Sequence, residues 1–312
     1  MKTLTIATRG SKLALWQAEH VKERIETFHS GEVSVRLEIV KTTGDKIQDV
    51  PLAQVGGKGL FVKEIEEAIL NGRADLAVHS MKDVPTELPD PLHIGVVTER
   101  EDCVDLLLST KYSGLDALPD KAIVGTSSLR RQCQLLSLRP ELDIRMLRGN
   151  LDTRLGKLHD GLYDAIVVAA AGMRRLGLSA PYVTPLVPPD FLPAVAQGAL
   201  GLEFSTERRD LADLLAFLDH RPTHDCIRAE RAFLHGLDGG CQVPIACWAR
   251  FDLSGEMRLD GLVGSVDGRR IIRKSGAGND PESLGRVLAA SILEDGGLQI
   301  LREVYGLDSA RS

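Results

Sequence analysis

Aromatic residues are scarce, at 4% of the chain, too few for a nucleic-acid surface built on stacked bases. Basic residues are not in excess either. The formal net charge is −6, which argues against the positive surface that general DNA binding needs. Five scattered cysteines, an odd number with no Cys-x-x-Cys pair, do not make a disulfide framework. No apolar run approaches the length of a membrane span. The opening Met1-Lys2-Thr3-Leu4-Thr5-Ile6 moves straight into a strand-like pattern, with no basic segment ahead of a long apolar one. These absences lead us to expect no export signal, no membrane and no nucleic-acid partner, in a reducing cytoplasm.

What is present is a 312-residue chain, 43% apolar, long enough for two or three domains with cores of their own. Leu4 to Thr8 reads as a strand. It leads through Arg9-Gly10-Ser11 into a helix whose Ala14, Ala18, Val21, Ile25 and Phe28 keep helical spacing. Ser11 is a natural N-cap, so Arg9 and Ser11 lie at the positive end of a helix, a ready place for a carboxylate or phosphate. Val33, Val35, Leu37 and Ile39 alternate as a strand. Gly56-Gly57-Lys58-Gly59-Leu60-Phe61 opens a helix of Val62, Ile65, Ala68 and Ile69 without the spacing of a nucleotide loop. Asp75 to His79 is a buried strand running into Ser80-Met81-Lys82-Asp83-Val84-Pro85, where open α/β sheets place their sites.

The pattern then restarts. A strand over 122–125 meets Thr126-Ser127-Ser128 and a helix over 129–138; a strand over 142–146 meets Arg148-Gly149-Asn150 and another helix. Asp164-Ala165-Ile166-Val167 follows Gly161 as Asp75-Leu76-Ala77-Val78 follows Gly72. Either this is an internal repeat, two similar α/β lobes, or a coincidence among generic βαβ units. The proline-dense 185–193 reads as an irregular crossing segment, and 194–203 as a strand-like return. The tail differs: a helix over about 225–234, strands near 243–251, 257–263 and 270–274, then a helix over 281–293. The expected division is a first lobe of 1–98 with 194–216, a second of 99–193, and a C-terminal α+β domain of 217–312 with a small antiparallel sheet.

Several groups could do chemistry. Leu237-Asp238-Gly239-Gly240-Cys241-Gln242-Val243-Pro244 places a cysteine after two glycines and before an apolar strand. That is either a displayed attachment point or nucleophile, or a glycine-rich turn with an incidental thiol. Arg130, Arg131, Arg145, Arg148, Arg154, Arg174 and Arg175 crowd one lobe of an acidic protein. Together they suggest a cleft for a substrate with several carboxylates; singly, each suits a solvated helix face. Thr126 and Ser128 are either ligand hydroxyls or plain caps. Asp83, beside Lys82, is either a site carboxylate able to stabilise a cation or a surface ion pair. His220, His224 and Cys226 do not make a metal site in this reading, because Pro222 breaks their helix and no second cluster completes four ligands.

These residues also occur in motifs. Ala7-Thr8-Arg9-Gly10-Ser11-Lys12-Leu13-Ala14-Leu15-Trp16-Gln17, Gly56-Gly57-Lys58-Gly59-Leu60-Phe61 and Ala77-Val78-His79-Ser80-Met81-Lys82-Asp83-Val84-Pro85 are followed by Gly125-Thr126-Ser127-Ser128-Leu129-Arg130-Arg131. Arg148-Gly149-Asn150-Leu151-Asp152-Thr153-Arg154 and Gly239-Gly240-Cys241-Gln242-Val243-Pro244 complete the series. In this order, over nearly the whole length, the chain resembles the porphobilinogen deaminase (hydroxymethylbilane synthase) family.

The resemblance implies two lobes like those of type II periplasmic binding proteins and a third domain carrying Cys241. It implies a dipyrromethane cofactor held by a thioether at Cys241 and a transferase that joins four porphobilinogen molecules into a linear tetrapyrrole, releasing ammonia. Asp83 would be the catalytic carboxylate. Lys58, Lys82, Asp83, Thr126, Ser128, Arg130, Arg131 and Arg154 would contact the cofactor; Arg9, Ser11, Arg148, Arg154 and Arg175 would bind substrate. A monomer without metal is expected. Two departures stand out: Gln54 replaces a common lysine, with Lys58 a possible substitute, and Ala196 replaces a usual glycine, for which a small local adjustment is expected. The rivals are a non-catalytic two-lobed binding protein for a polycarboxylate ligand and a cysteine hydrolase. The first leaves Cys241 without a purpose, and the second lacks a recognisable histidine base.

Overall fold

The computed structural model describes residues 1–42, 62–239 and 243–306. Two compact units divide the chain: Met1–Glu101 with Arg174–Gly177 and Gly198–His224, and Asp102–Met173 with Leu178–Gln197 and Asp225–Ser312. In chain order the strands are β1 (Lys2–Arg9), β2 (Val33–Val40), β3 (Leu76–Ser80), β4 (Leu92–Val97), β5 (Asp105–Ser109) and β6 (Ile123–Gly125). They continue as β7 (Asp143–Arg145), β8 (Ala165–Ala169), β9 (Tyr182–Leu186), β10 (Leu200–Ser205), β11 (Ile245–Phe251), β12 (Met257–Gly264) and β13 (Ile271–Gly278).

The first sheet has the order β2-β1-β3-β10-β4 and the second β7-β6-β8-β5-β9. In each, the second strand runs parallel to its two neighbours, and the fourth runs antiparallel to both of its own. The sequence repeat is therefore a repeat of topology. It reaches single residues. Asp75 and Asp164 each accept, at 2.8 Å, the backbone N–H of a residue in the neighbouring parallel strand, Thr5 and Ile123. Each returns its own N–H to the carbonyl of that same residue, at 2.9 Å.

Both faces of the first sheet are covered, which is why its inner strands β3 and β10 read as apolar runs. The helix Lys12–Phe28 lays Ala18, Val21 and Ile25 on Leu4, Ile6 and Leu76. On the other face the helix Lys63–Leu70 sets Ile65, Ala68 and Ile69 against Ala7, Val40 and Ala77. Phe28 departs from the expected stripe: it is 60% exposed and stacks flat on Phe217 at 3.9 Å. Ile39, expected inside, is exposed at the end of the edge strand β2, while Val40 turns to the opposite core.

Pro185 lies within β9 and not in an irregular segment; β9 is a sheet edge, where a missing donor is tolerated. The C-terminal sheet is an antiparallel meander, β11-β12-β13. The helix Pro281–Ile292 sets Leu288 over its Gly261, and Phe233 of the helix Arg221–Gly236 reaches the same glycine. That second helix starts four residues earlier than the sequence suggests. Pro222 sits in its first turn, where the N–H it lacks would have no helical partner anyway. A final helix, Leu298–Val304, was not anticipated.

A buried ion triad holds the second unit together. Asp105, at the start of β5, takes Arg130 Nη1 on one oxygen and Arg131 Nη2 on the other, both at 2.7 Å. Arg130 also donates to Leu192 O, Arg131 to Val167 O, and Gln197 Nε2 adds a third bond to the carboxylate at 3.0 Å. Burial alone would push the Asp105 carboxyl up, but the charges and hydrogen bonds of the two arginines outweigh it and hold the group well below its ordinary range. The chain then passes Ala196, a left-handed residue (φ +60°) whose N–H is gripped by buried Glu230 at 2.6 Å. The alanine thus adopts a left-handed conformation ordinarily left to glycine, at a steric cost of roughly 1–2 kcal/mol.

Two outcomes test this account. Gly198 has φ +93°, and a Cβ there would sit 2.3 Å from the Glu101 carbonyl oxygen; Gly198→Ala should lose about 2 kcal/mol or more in a urea titration. Asp105→Asn should lose about 3–5 kcal/mol at neutral pH, since it strands two buried guanidinium groups. Because the folded-state pKa of Asp105 is depressed, its stabilisation is complete above the ordinary carboxylate value and disappears as pH falls through the folded one. The wild-type advantage should therefore narrow only below about pH 4.

Candidate functional site

β1 and β3 are parallel neighbours, in register at Ile6 with Leu76 and Ala7 with Ala77, so their carboxyl ends lie side by side. β1 ends at Arg9. Ser11 then caps the helix Lys12–Phe28, its Oγ accepting the Ala14 N–H at 3.3 Å. β3 ends at Ser80 and turns at once into a short 3-10 turn, Met81–Asp83, closed by Val84 N–H to Met81 O and anchored by Met81 N–H to Ala199 O at 3.0 Å. Between these ends is a cavity of about 70 Å³ lined by Arg9, Ser11, Gln17, His79, Ser80 and Asp83, with apolar walls that include Leu13 and Ile65.

The structure thus brings together three residues expected from sequence, Arg9, Ser11 and Asp83, with Lys82 half-buried beside them. It adds three that were missed. Gln17 is buried and donates Nε2 to Ser80 Oγ at 2.8 Å; His79 shares the wall. The signal for Gln17 and His79 was a polar side chain directly after an apolar residue in an element with a buried face. Arg175 ends the helix Ala170–Arg175 and belongs to the same unit. Its Nη2 donates to Gly198 O at 2.7 Å, and its guanidinium lies 5.9 Å from the ring of Trp16, which stacks on His20.

In the second unit the expected residues separate into two sets. Arg130 and Arg131 point inward to Asp105 and hold the core. Arg145 pairs with Asp143 in the same unit, while Arg174, in the first unit, pairs with Glu101. Thr126 is buried and its hydroxyl accepts the Ser128 N–H at 3.1 Å, a turn that leads into the helix Leu129–Leu138. Arg148 and Arg154 flank the start of the helix Leu151–His159. Asn150 caps that helix through Thr153 N–H, and Arg154 Nε donates to Gly149 O. Arg148 Nε is buried without a hydrogen-bond partner among the described residues. A helix amino terminus with an orphaned guanidinium donor beside it fits a carboxylate.

Lys58, Gln54 and Cys241 lie outside the described residues. The chain leading to Cys241 is held: Asp238 turns with φ +48°, Gly239 N–H donates to Leu234 O, and Tyr305 Oη donates to Asp238 O at 2.9 Å. On the far side Val243 and Ile245 are buried. His220 and His224 serve the start of their helix, bonded to Thr223 and Asp219 at 2.8 Å. Among the described residues, no group of three or more His, Cys, Asp or Glu could hold a metal ion, and no helix is long and apolar enough to cross a membrane.

Among solved structures, the chain shares limited likeness with a TRAP periplasmic solute binding protein from Desulfovibrio salexigens (TM-score 0.42, 14% identity, 70% of this chain and 72% of that one). Another is a putative methionine-binding lipoprotein from Bacillus subtilis (TM-score 0.41, 13% identity, 69% and 88%). Sequence relatives are much closer. A porphobilinogen deaminase of Nitratidesulfovibrio vulgaris is 62% identical over 312 residues, covering 99% of each chain. One from Maridesulfovibrio salexigens is 58% identical over 307 residues, covering 98% of this chain and 99% of that one. Residues 4–213 match the family model for the porphobilinogen deaminase dipyrromethane cofactor-binding domain, and 224–294 match that for its C-terminal domain. With both models matched in order and relatives this similar from end to end, the chain belongs to the porphobilinogen deaminase family of transferases.

Proposed function

We propose that this chain joins four porphobilinogen molecules head to tail into hydroxymethylbilane, releasing ammonia, and that Asp83 is its catalytic carboxylate. The observation that carries the reading is the shared pocket: Asp83 faces the same cavity as Arg9 and Ser11, at the adjacent ends of two parallel strands. An anionic substrate drawn to a cation and a helix amino terminus there brings its reacting carbon beside a carboxylate. A carboxylate is suited to stabilise the cation that forms as ammonia leaves and to receive the proton released from carbon.

The dipyrromethane, attached at Cys241, supplies when bound the pyrrole carbon at which the chain grows. Its carboxylate arms suit Lys82, Arg154 and the hydroxyl turn of Thr126 and Ser128, with Lys58 assigned to the same group. Arg9, Ser11, Arg148 and Arg175 are assigned to substrate, the orphaned Nε of Arg148 being the donor best placed to gain from it. Arg130 and Arg131 act one step back, holding β5 and the helix Leu129–Leu138 that follows the hydroxyl turn. The same reading divides the chain at 1–98 with 194–216, 99–193 and 217–312, and makes it a cytoplasmic monomer.

Intact mass tests the attachment: wild type should be heavier than the bare chain by two linked pyrrole units, and Cys241→Ala should not. Asp83→Asn should keep the cofactor mass and lose roughly 10²–10⁴-fold in turnover, followed by ammonia release. Arg148→Ala should raise KM for porphobilinogen about 10- to 100-fold, the equivalent of one charge-assisted hydrogen bond. A wild-type chain that gains no mass with porphobilinogen and releases no ammonia would leave a polycarboxylate-binding protein as the better reading.

A further inference from the structure

Behind the Asp83 turn lies a pair of ionisable groups that the mechanism above does not use. His79 Nε2 is 2.8 Å from Glu203 Oε2, and the two side chains are 5% and 1% exposed. They come from the paired strands β3 and β10, where Gly201 opposes His79 and Glu203 opposes Ala77, so both lie on the face covered by the helix Lys63–Leu70. That layer is otherwise built of Ala77, Ile65, Ala68 and Ile69. The pairing of β10 with β4 slips between Leu202 and Glu203, a bulge of the kind that re-aims a side chain.

Three features argue against mere filling. A buried ion pair contributes little to stability compared with apolar residues of the same volume, so the fold alone has no need of it. Glu203 Oε1 has no hydrogen-bond partner among the described residues, which leaves a lone pair able to take a proton or a water. The imidazole also reaches the reaction side: His79 lines the cavity together with Asp83. Glu66, on the covering helix, has its carboxyl pushed up by burial and then by the charge of Glu203, so it is no replacement for that anion.

The reaction also has a proton to dispose of. Each condensation breaks the C–N bond of an aminomethyl group, whose electron pair leaves with ammonia. It also breaks the C–H bond at the pyrrole carbon that forms the new C–C bond, and that electron pair returns to the ring. One proton per addition is therefore freed from carbon and ends on ammonia or water. Asp83 is the first acceptor in our reading, and four successive additions require it to be returned to the carboxylate form each time. We propose that the His79–Glu203 pair is the positioning and proton-accepting device behind Asp83: Glu203 fixes the imidazole on the cavity wall, and the pair takes the proton from Asp83, directly or through water in the cavity, before it passes to ammonia or solvent. Neither residue touches the reacting atoms. The inference rests on the catalytic role assigned to Asp83.

The test replaces both partners at once, His79→Leu with Glu203→Met, which keeps the volume and removes the charge. Buried pairs exchanged in this way leave stability unchanged or improved. We expect an unchanged or higher melting midpoint, a cofactor present by intact mass, KM for porphobilinogen within about twofold of wild type, and kcat lower by about 10- to 100-fold. Wild-type kcat would overturn the inference. So would a variant that fails to fold or to carry the cofactor, which would assign the pair to the scaffold. Independently of turnover, the ¹⁵N resonances of the His79 ring in loaded, substrate-free enzyme should show Nε2 bonded to a carboxylate and should move in Glu203→Gln. Resonances indifferent to that change would also overturn it. Asp83→Asn, run alongside, separates the failures. If it turns over normally, the role of Asp83 falls and this inference with it; if it is impaired while the double variant is not, only the inference falls.

Discussion

The register of β1 against β3 decides which side chains meet at the carboxyl ends of these strands, and the carboxylate of Asp75 helps to fix it. Asp75 binds Thr5 through both its backbone N–H and a side-chain oxygen, while Arg208 Nη1 takes the other oxygen at 2.8 Å. A slip of one residue would turn every side chain of β1 to the opposite face. Arg9 would then leave the end of β3, and the loop carrying Asp83 would face a different partner. The catalytic assignment is thus downstream of a structural aspartate at the far end of the strand.

The second unit repeats the device with Asp164 and puts it to a different use. There the residues after the strands are arginines and hydroxyls, and the structure divides them by what their guanidinium groups meet. Two are consumed by Asp105 in the interior. Arg148 keeps a buried Nε donor with no acceptor among the described residues. Similar positions in similar motifs therefore end in different surroundings, one set paired inside the scaffold and one assigned, in our reading, to an anion.

Much of this was legible in the sequence because it is local. Ser11 as a cap, the helix over 129–138, the strand into Ser80 and the Gly-x-x-Asp repeat all follow from spacing and from the chemistry of single residues. The partners of Arg130 and Arg131 were not legible, because Asp105 lies 25 residues away and reaches them only once β5 has joined the second sheet. His79 was hidden for the same reason: its meaning depends on Glu203, 124 residues on. Pro185 and Pro222 misled in the opposite direction. Each reads as a breaker, but a sheet edge and a first helical turn are two places where its missing N–H costs nothing.

The strand orders also carry a consequence for how the chain comes into being. Among the described residues, β4 joins the first sheet through β10, which is encoded more than a hundred residues later, after the whole of the second sheet. During synthesis, then, β3 and β4 emerge early and wait with open edges until residue 205 is available, while the second sheet, whose five strands are contiguous in the chain, can close first. Of the two five-stranded sheets, the one earlier in the sequence is therefore completed later, and its unpaired edges are the segment a nascent chain has most need to have shielded.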